Sequence, residues 1–346
     1  MSGTSLDGLD IACCTLKHCA GEWTYKIEKA TTLKYDNRWR NKLSSAHTLP
    51  ALGLMELHRE YGCYLGRCAN DFVTSRKIKG IDIVASHGHT VFHQPERYVS
   101  FQLGNGAAIS AACGITVVSD FRSLDIMLGG QGAPLIPVCD ELLFPEYEFC
   151  LNLGGFANIS YRSDAGERLA YDICPVNIAL NHFANLLNMD FDKDGLTAAS
   201  AKADKKLLAR LNALKYYRNA APKSLSREWF GAEFLPLVNK SGITVPEKLA
   251  TVTEHIAEQV SRALTGAKGA RCLVTGGGAF NRYLINKISA ITDTQIVIPA
   301  DDLVNFKEAL GFALLGALRI RGEKNCLKSV TGACRDSSGG VICMAG

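Results

Sequence analysis

Three glycine-rich turns carry residue types that can hold a phosphorylated nucleotide. The first is GTSLDGLD, the run Gly3, Thr4, Ser5, Leu6, Asp7, Gly8, Leu9 and Asp10. Backbone amides and hydroxyls there can take phosphate oxygens, and a carboxylate such as Asp7 can hold a magnesium ion through its water shell. The same run also reads as a β-hairpin turn, because Asp-Gly is a common hairpin signal. The second turn, NLGGFANIS, supplies Asn152, Gly154, Gly155, Asn158 and Ser160. Without a Cβ, glycine lets a phosphate approach the backbone. A tight turn needing positive φ accounts for those glycines equally well. The third, TGGGAFN, places Gly276, Gly277 and Gly278 between a buried strand and a helix start. An adenine-ribose can lie flat on such a surface, which is also what a plain strand-to-helix loop looks like. No GK[ST] follows and the pattern is not GxGxxG, so neither the Walker loop nor the dinucleotide fingerprint applies.

The elements that must position these turns alternate between strands and helices. WTYKIEKATTLKY alternates like a strand, and GIDIVASHG and GITVVSDF are short buried strands ending in polar turns. RLAYDIC is a strand that delivers Asp172 at its end; alone, Asp172 reads as a helix N-cap before PVNIALNHF. LMELHREYGCYLGRCANDFVTS, KLATVTEHIAEQVSRAL and FKEALGFALLGALRI have helical periodicity. Strands mixed with helices in both halves predict an α/β protein with two sheets. Two similar turns about half a chain apart suggest a duplicated, nucleotide-clamping domain. The expected division is an N-terminal lobe over 1–145, a C-terminal lobe over 146–321, and a loosely held polar tail over 322–346.

Bulk numbers bound the rest. The 346 residues suit two lobes, and 47% apolar with 21% charged residues is an ordinary globular composition. The net charge is a mild +4 with scattered basic residues, so no nucleic-acid stripe is marked. No apolar run reaches the roughly 18 residues of a membrane span, and no secretory signal opens the chain. The thirteen cysteines are odd in number, dispersed and without a CxxC pair, which reads as reduced cytoplasmic thiols. His87, His89 and His93 in HGHTVFH invite a metal reading, against which a hydrogen-bonding loop is favoured.

In order along the chain stand MSGTSLDGLD, HGHTVFH, QLGN, DFRSLDIMLGGQGAPLIP, NLGGFANIS, DICPVN, DKDG, PKSLSRE, GGGAFN and EALGFALL. From Met1 to about Leu318 this set resembles the anhydro-N-acetylmuramic acid kinase family, within the actin, hexokinase and heat-shock 70-kDa superfamily. GGQGAPL beside MSGTSLDG is the most specific part. The resemblance implies a two-lobed, duplicated actin-like (ribonuclease H-like) fold with a nucleotide cleft between lobes. It implies use of ATP and Mg2+ to phosphorylate the 6-oxygen of 1,6-anhydro-N-acetylmuramic acid while water opens the ring. It places the catalytic base at Asp172 and a second catalytic carboxylate at Glu308. It further implies ATP binding by Gly3 to Asp10 and by Gly154, Gly155, Asn158 and Gly276 to Gly278. Asp120, Arg122, Gln131 and Asn177 fall at the sugar, with Asp125 near them, and an arginine there can pair with the lactyl carboxylate. The family's PKS-containing motif is matched by Lys223, Ser224, Arg227 and Glu228 without a role for each. The resemblance allows a homodimer. Alternatives are an N-acetylglucosamine-type kinase and a nucleotide-binding regulator without turnover.

The chain departs from the family at three points. Ile173 and Cys174 replace a hydroxyl residue and a glycine in the run after Asp172, Ser226 replaces a glycine, and His89 replaces a glutamine. The family also places a short apolar strand ahead of the motif that here begins at Met1. Without it, the first lobe is expected to expose apolar surface and unpaired backbone and to be less stable than an extended chain.

Overall fold

The computed structural model describes residues 1–2, 6, 8–265 and 269–345. The chain divides into two compact units, Met1–Leu143 with Phe306–Gly346, and Phe144–Asn305. Among the described residues, no helix is long and apolar enough to cross a membrane. Every cysteine is a free thiol.

In the first unit, β1 (Gly8–Cys19) and β2 (Glu22–Lys34) form an antiparallel hairpin. Its two-residue turn, Ala20 and Gly21, has φ of 52° and 86°, the positive pair that matches strand twist. β3 (Val84–Ser86) runs parallel to β6 (Val117–Ser119), while β4 (His89–Gln94) and β5 (Val99–Leu103) make a second hairpin. The helices Ala51–Ser75 and Gly106–Cys113 pack backbone to backbone at Gly66, where a Cβ would lie 2.6 Å from the Ile109 carbonyl oxygen. Tyr61, Leu103, Ile109 and Val117 fill the core beneath, the three aliphatic side chains each contributing about 1.5–3 kcal/mol by leaving water.

β1 is paired with β2 along its whole length, but on its other side only Met1 and Ser2 pair with it among the described residues. The Met1 amine donates to the Asp10 carbonyl at 2.7 Å, and the Asp10 N–H donates to the Met1 carbonyl at 2.9 Å. Beyond them lies a cavity of about 750 Å³ between β1 and residues 78–86, lined by Ile11, Leu16, Phe72, Ile83, Ala85 and Phe312. β1–β2 and β3–β6 therefore belong to separate sheets rather than one.

In the second unit, five strands form one sheet, with a parallel pair at one side and an antiparallel meander at the other. β7 (Phe149–Leu153), β8 (Phe156–Arg162) and β9 (Arg168–Pro175) are an antiparallel meander. β10 (Arg271–Thr275) and β11 (Gln295–Val297) run parallel to β7. The helices Asn177–Asn185, Val245–Ala263 and Arg282–Ile291 bury Phe183, Val252, Ile256, Val260 and Ile288 in the same core as Leu151, Leu153 and Val274. A capping box of Thr244 and Glu247 starts the second of these helices.

Two expectations on the domain limits are corrected. The helix Asp301–Ile320 departs from helical dihedrals at Phe306, and from that residue onward the chain belongs to the first unit rather than the second. The described residues of the expected tail, 322–345, are not loosely held. β12 (Val341–Cys343) adds antiparallel to β6, Cys326 bridges to Ser337, and buried Asn325 bonds to the Leu315 and Gly339 carbonyls at 3.0 and 2.9 Å. Asn325 finds its partners within the protein, on Leu315 and Gly339, so polar composition did not mean solvation.

Candidate active site

In the second unit the turn between β7 and β8 carries Gly154 and Gly155. The Gly155 carbonyl accepts from the N–H groups of Val176 and Ile178, and the Gly154 carbonyl from Asn177. Asn177 Nδ2 returns to the Leu153 carbonyl at 3.1 Å. The turn is thus braced on the start of the Asn177–Asn185 helix. A Cβ on Gly155 would meet nothing within 4 Å, so this part of the turn faces open space. The glycine run after β10 packs directly against it. Gly276 has φ of 82°, and a Cβ there would stand 2.5 Å from Asn152 Oδ1; one on Gly278 would stand 2.7 Å from Leu153 Cβ. Only glycine fits at Gly276, on both conformation and space. Gly154, Gly155, Asn177 and Gly276 to Gly278 therefore come together as one cradle.

Asp172 lies on β9, the sheet edge, opposite Asn158 of β8. Residues 216–225 wrap that edge. The Asp172 N–H donates to the Lys223 carbonyl at 3.1 Å, and Oδ2 accepts the Leu225 N–H at 2.8 Å. The Tyr216 hydroxyl donates to the Asp172 carbonyl. Oδ1 has no partner among the described residues. Burial raises the Asp172 carboxyl above the ordinary carboxylate range, and the Leu225 N–H opposes that rise. This gives PKSLSRE a function that sequence reasoning left unassigned: it clamps Asp172. Lys223 lies over the rings of Tyr216 and Tyr171, 4.8 and 5.5 Å from their centroids. Tyr216 and Leu225 carried no sequence signal, being paired to Asp172 across 44 and 53 residues. Ile173 and Cys174, the departures beside Asp172, are buried in the core of the unit.

The first unit gathers a charged group. Arg122 gives Nε and Nη2 to His87 Nε2 at 3.2 and 2.8 Å, and Nη1 to the Gly132 carbonyl at 2.7 Å. Gly132 belongs to GGQGAPL, and its N–H donates to Asp125 Oδ2 at 2.7 Å. Asp125 is buried and also accepts from the Thr331 hydroxyl, so it holds the loop from beneath. Burial raises the Glu308 carboxyl above the ordinary carboxylate range, with Arg122 pulling it back and Asp10 pushing it further up. Arg122 in turn falls to about 10 through burial, with Glu308 opposing. The next residue back, Lys307, is buried against Asp140 at 2.6 Å and fixes this turn of its helix.

The other sequence-derived candidates have simpler settings. Asp120 sits at φ of 56° and accepts the Ser123 hydroxyl at 2.6 Å. Gln131 is exposed, with its N–H on the Thr331 carbonyl. Leu9 is core, Leu6 packs against that core, and a Cβ on Gly8 would strike the Leu33 carbonyl at 2.6 Å. The Asp10 carboxylate accepts the Thr32 hydroxyl at 2.6 Å. Gly3, Thr4, Ser5 and Asp7 lie outside the described residues. His87, His89 and His93 turn to different partners, Arg122, Ser2 and Ser100, and no cluster of three or more metal-ligating side chains exists among the described residues.

A family model described as Anhydro-N-acetylmuramic acid kinase matches residues 1–345. The chain belongs to the anhydro-N-acetylmuramic acid kinase family. It is 33% identical to the anhydro-N-acetylmuramic acid kinase of Francisella tularensis subsp. novicida, over 96% of this chain and 94% of that protein. Against the one from Gloeobacter violaceus it is 33% identical over 97% and 95%. Against that of Vibrio cholerae it is 34% identical over 99% and 96%. Among solved structures, a hexokinase from Schistosoma mansoni complexed with glucose aligns at 10% identity and a TM-score of 0.36, over 88% of this chain and 83% of that one.

Proposed function

We propose that the chain is the ATP-dependent kinase of its family: it opens the 1,6-anhydro ring of 1,6-anhydro-N-acetylmuramic acid and phosphorylates the 6-oxygen. The products are N-acetylmuramic acid 6-phosphate and ADP, made in the cytoplasm during peptidoglycan recycling. The observation that carries this reading is Asp172. One carboxylate oxygen is held by a backbone N–H while the other has no partner among the described residues, in the same unit as a glycine cradle whose Gly155 faces open space.

In this mechanism Asp172 Oδ1 takes a proton from water as that water attacks the anomeric carbon. The bond from that carbon to the 6-oxygen breaks, and the 6-oxygen takes the γ-phosphoryl group of ATP as ADP leaves. Gly154, Gly155 and Gly276 to Gly278 hold the nucleotide, with Asn158 beside the phosphates and Asn177 bracing the turn. Arg122 receives the lactyl carboxylate, and Glu308, Asp120 and Gln131 line the sugar. The donor set suits Mg2+ bound chiefly by phosphates and water, since no three metal-ligating side chains gather into a cage among the described residues and a carboxylate such as Asp10 would serve as a single ligand. When bound, Mg2+ would spread the charge of the transferring phosphoryl group.

Release of ADP is the test. It should require 1,6-anhydro-N-acetylmuramic acid together with ATP. Release with N-acetylglucosamine instead would favour an ordinary amino-sugar kinase, and ATP binding without release under any condition would favour a regulator.

A further inference from the structure

We propose that His87 is a positioning residue for Arg122, setting the roll of its guanidinium so that two N–H groups remain for an anionic group of the substrate. The inference deepens the reading of Arg122 given above and rests on it. His87 Nδ1 stands 3.0 Å from the Gly88 carbonyl oxygen. A carbonyl only accepts, so Nδ1 must carry the proton, and in the neutral ring Nε2 is left as an acceptor. Arg122 only donates, and it places Nε and Nη2 on that nitrogen. A protonated ring would set N–H against N–H. Burial and the Arg122 charge keep His87 well below the ordinary imidazole range, consistent with the acceptor role.

The carbonyl that fixes this tautomer is itself fixed. Gly88 has φ of 72°, and a Cβ there would lie 2.2 Å from the Leu103 carbonyl oxygen. The imidazole also packs on Phe312, ring centroids 4.7 Å apart, and Phe312 packs on Phe121 at 5.5 Å. Phe312 follows Glu308 by one helical turn. One buried ring therefore joins the Gly88 loop, the Arg122 turn and the helix that presents Glu308. With Nη1 on the Gly132 carbonyl, three of the five guanidinium N–H groups are spent. One remains on each terminal nitrogen, without a partner among the described residues, the pair that matches a carboxylate.

His87→Phe keeps ring and packing but removes the acceptor; His87→Gln restores an acceptor near Nε2. Steady-state kinetics would compare 1,6-anhydro-N-acetylmuramic acid with 1,6-anhydro-N-acetylglucosamine, which lacks the lactyl carboxylate. His87→Phe should raise KM for the acid-bearing sugar by about tenfold to a hundredfold, the scale of one hydrogen bond to a charged group. KM for ATP and KM for the acid-free sugar should hold, and His87→Gln should recover part of the loss. An unchanged sugar KM in His87→Phe, or an equal rise in all three constants, overturns the proposal. Arg122→Ala separates the two ideas. If it leaves the acid-bearing sugar's KM intact, the reading of Arg122 fails; if it raises that KM and His87→Phe does not, only the positioning role fails.

Discussion

Leu225 gives its backbone N–H to Oδ2 of Asp172 at 2.8 Å from 53 residues further along the chain. The bond commits one carboxylate oxygen to the protein and leaves the other for a proton. Asp172→Asn preserves the shape and the Leu225 bond but cannot accept that proton. Turnover should fall by about a thousandfold, the usual scale of a lost general base, while ATP binding measured by calorimetry holds. Wild-type turnover in that variant would remove Asp172 from the chemistry.

The same carboxylate should cost stability. Its pKa is raised by burial, so the folded chain binds that proton more tightly than the unfolded chain does. As pH climbs from the unfolded value of about 3.9 through the raised folded value, stability is lost, and the loss persists above it. Asp172→Asn should therefore melt higher than wild type at neutral pH, and the gap should close in acid. For the same reason the acid limb of kcat/KM should fall at a pH above that of an ordinary aspartate. A lower Tm for the variant at neutral pH, or an acid limb at the ordinary value, would count against the buried base.

Two glycines of the proposed nucleotide cradle separate folding from binding. Gly276→Ala meets Asn152 at 2.5 Å and demands positive φ, so it should lower Tm as well as ATP affinity. Gly155→Ala meets nothing within 4 Å, so Tm should stay within a degree or so while ATP affinity drops, because the added methyl faces the nucleotide. Unaltered ATP affinity in Gly155→Ala would place the phosphates elsewhere.

What the sequence revealed and what it hid divide by range. Gly276 was legible because positive φ and close approach are properties that glycine alone supplies locally. Asp172 was legible as part of a strand, whose alternation is local, but not as its end, since β9 runs on through Pro175. The acceptor that holds Arg122 and the amide that holds Asp172 were not, because each pairs residues 35 or 53 positions apart and no local pattern encodes such a meeting. The packed C-terminal segment was hidden for another reason: Asn325 and Ser337 look like solvated residues until their partners are known.

The groove beside β1 offers a fourth expectation. A short, alternating apolar segment fused ahead of Met1 would run along β1 past Ala12 and Cys14, in line with the Met1–Asp10 pair. It should raise Tm by filling the cavity and satisfying backbone groups on that edge. A proline-containing segment of equal length, unable to join a ladder, is the control. Equal melting temperatures for the two fusions and the unfused chain would show that the groove accepts no strand.

The nitrogen at the head of that pair adds a practical consequence. Burial lowers the Met1 ammonium to about 6 from 8.0, so the folded chain sheds this proton earlier than the unfolded one, and stability grows as pH rises between those values. Any affinity tag or acyl cap turns the same nitrogen into an amide that cannot ionise. Tagged and untagged preparations would then diverge in mildly acidic buffer and converge in alkaline buffer, a difference of handling easily mistaken for one of sequence.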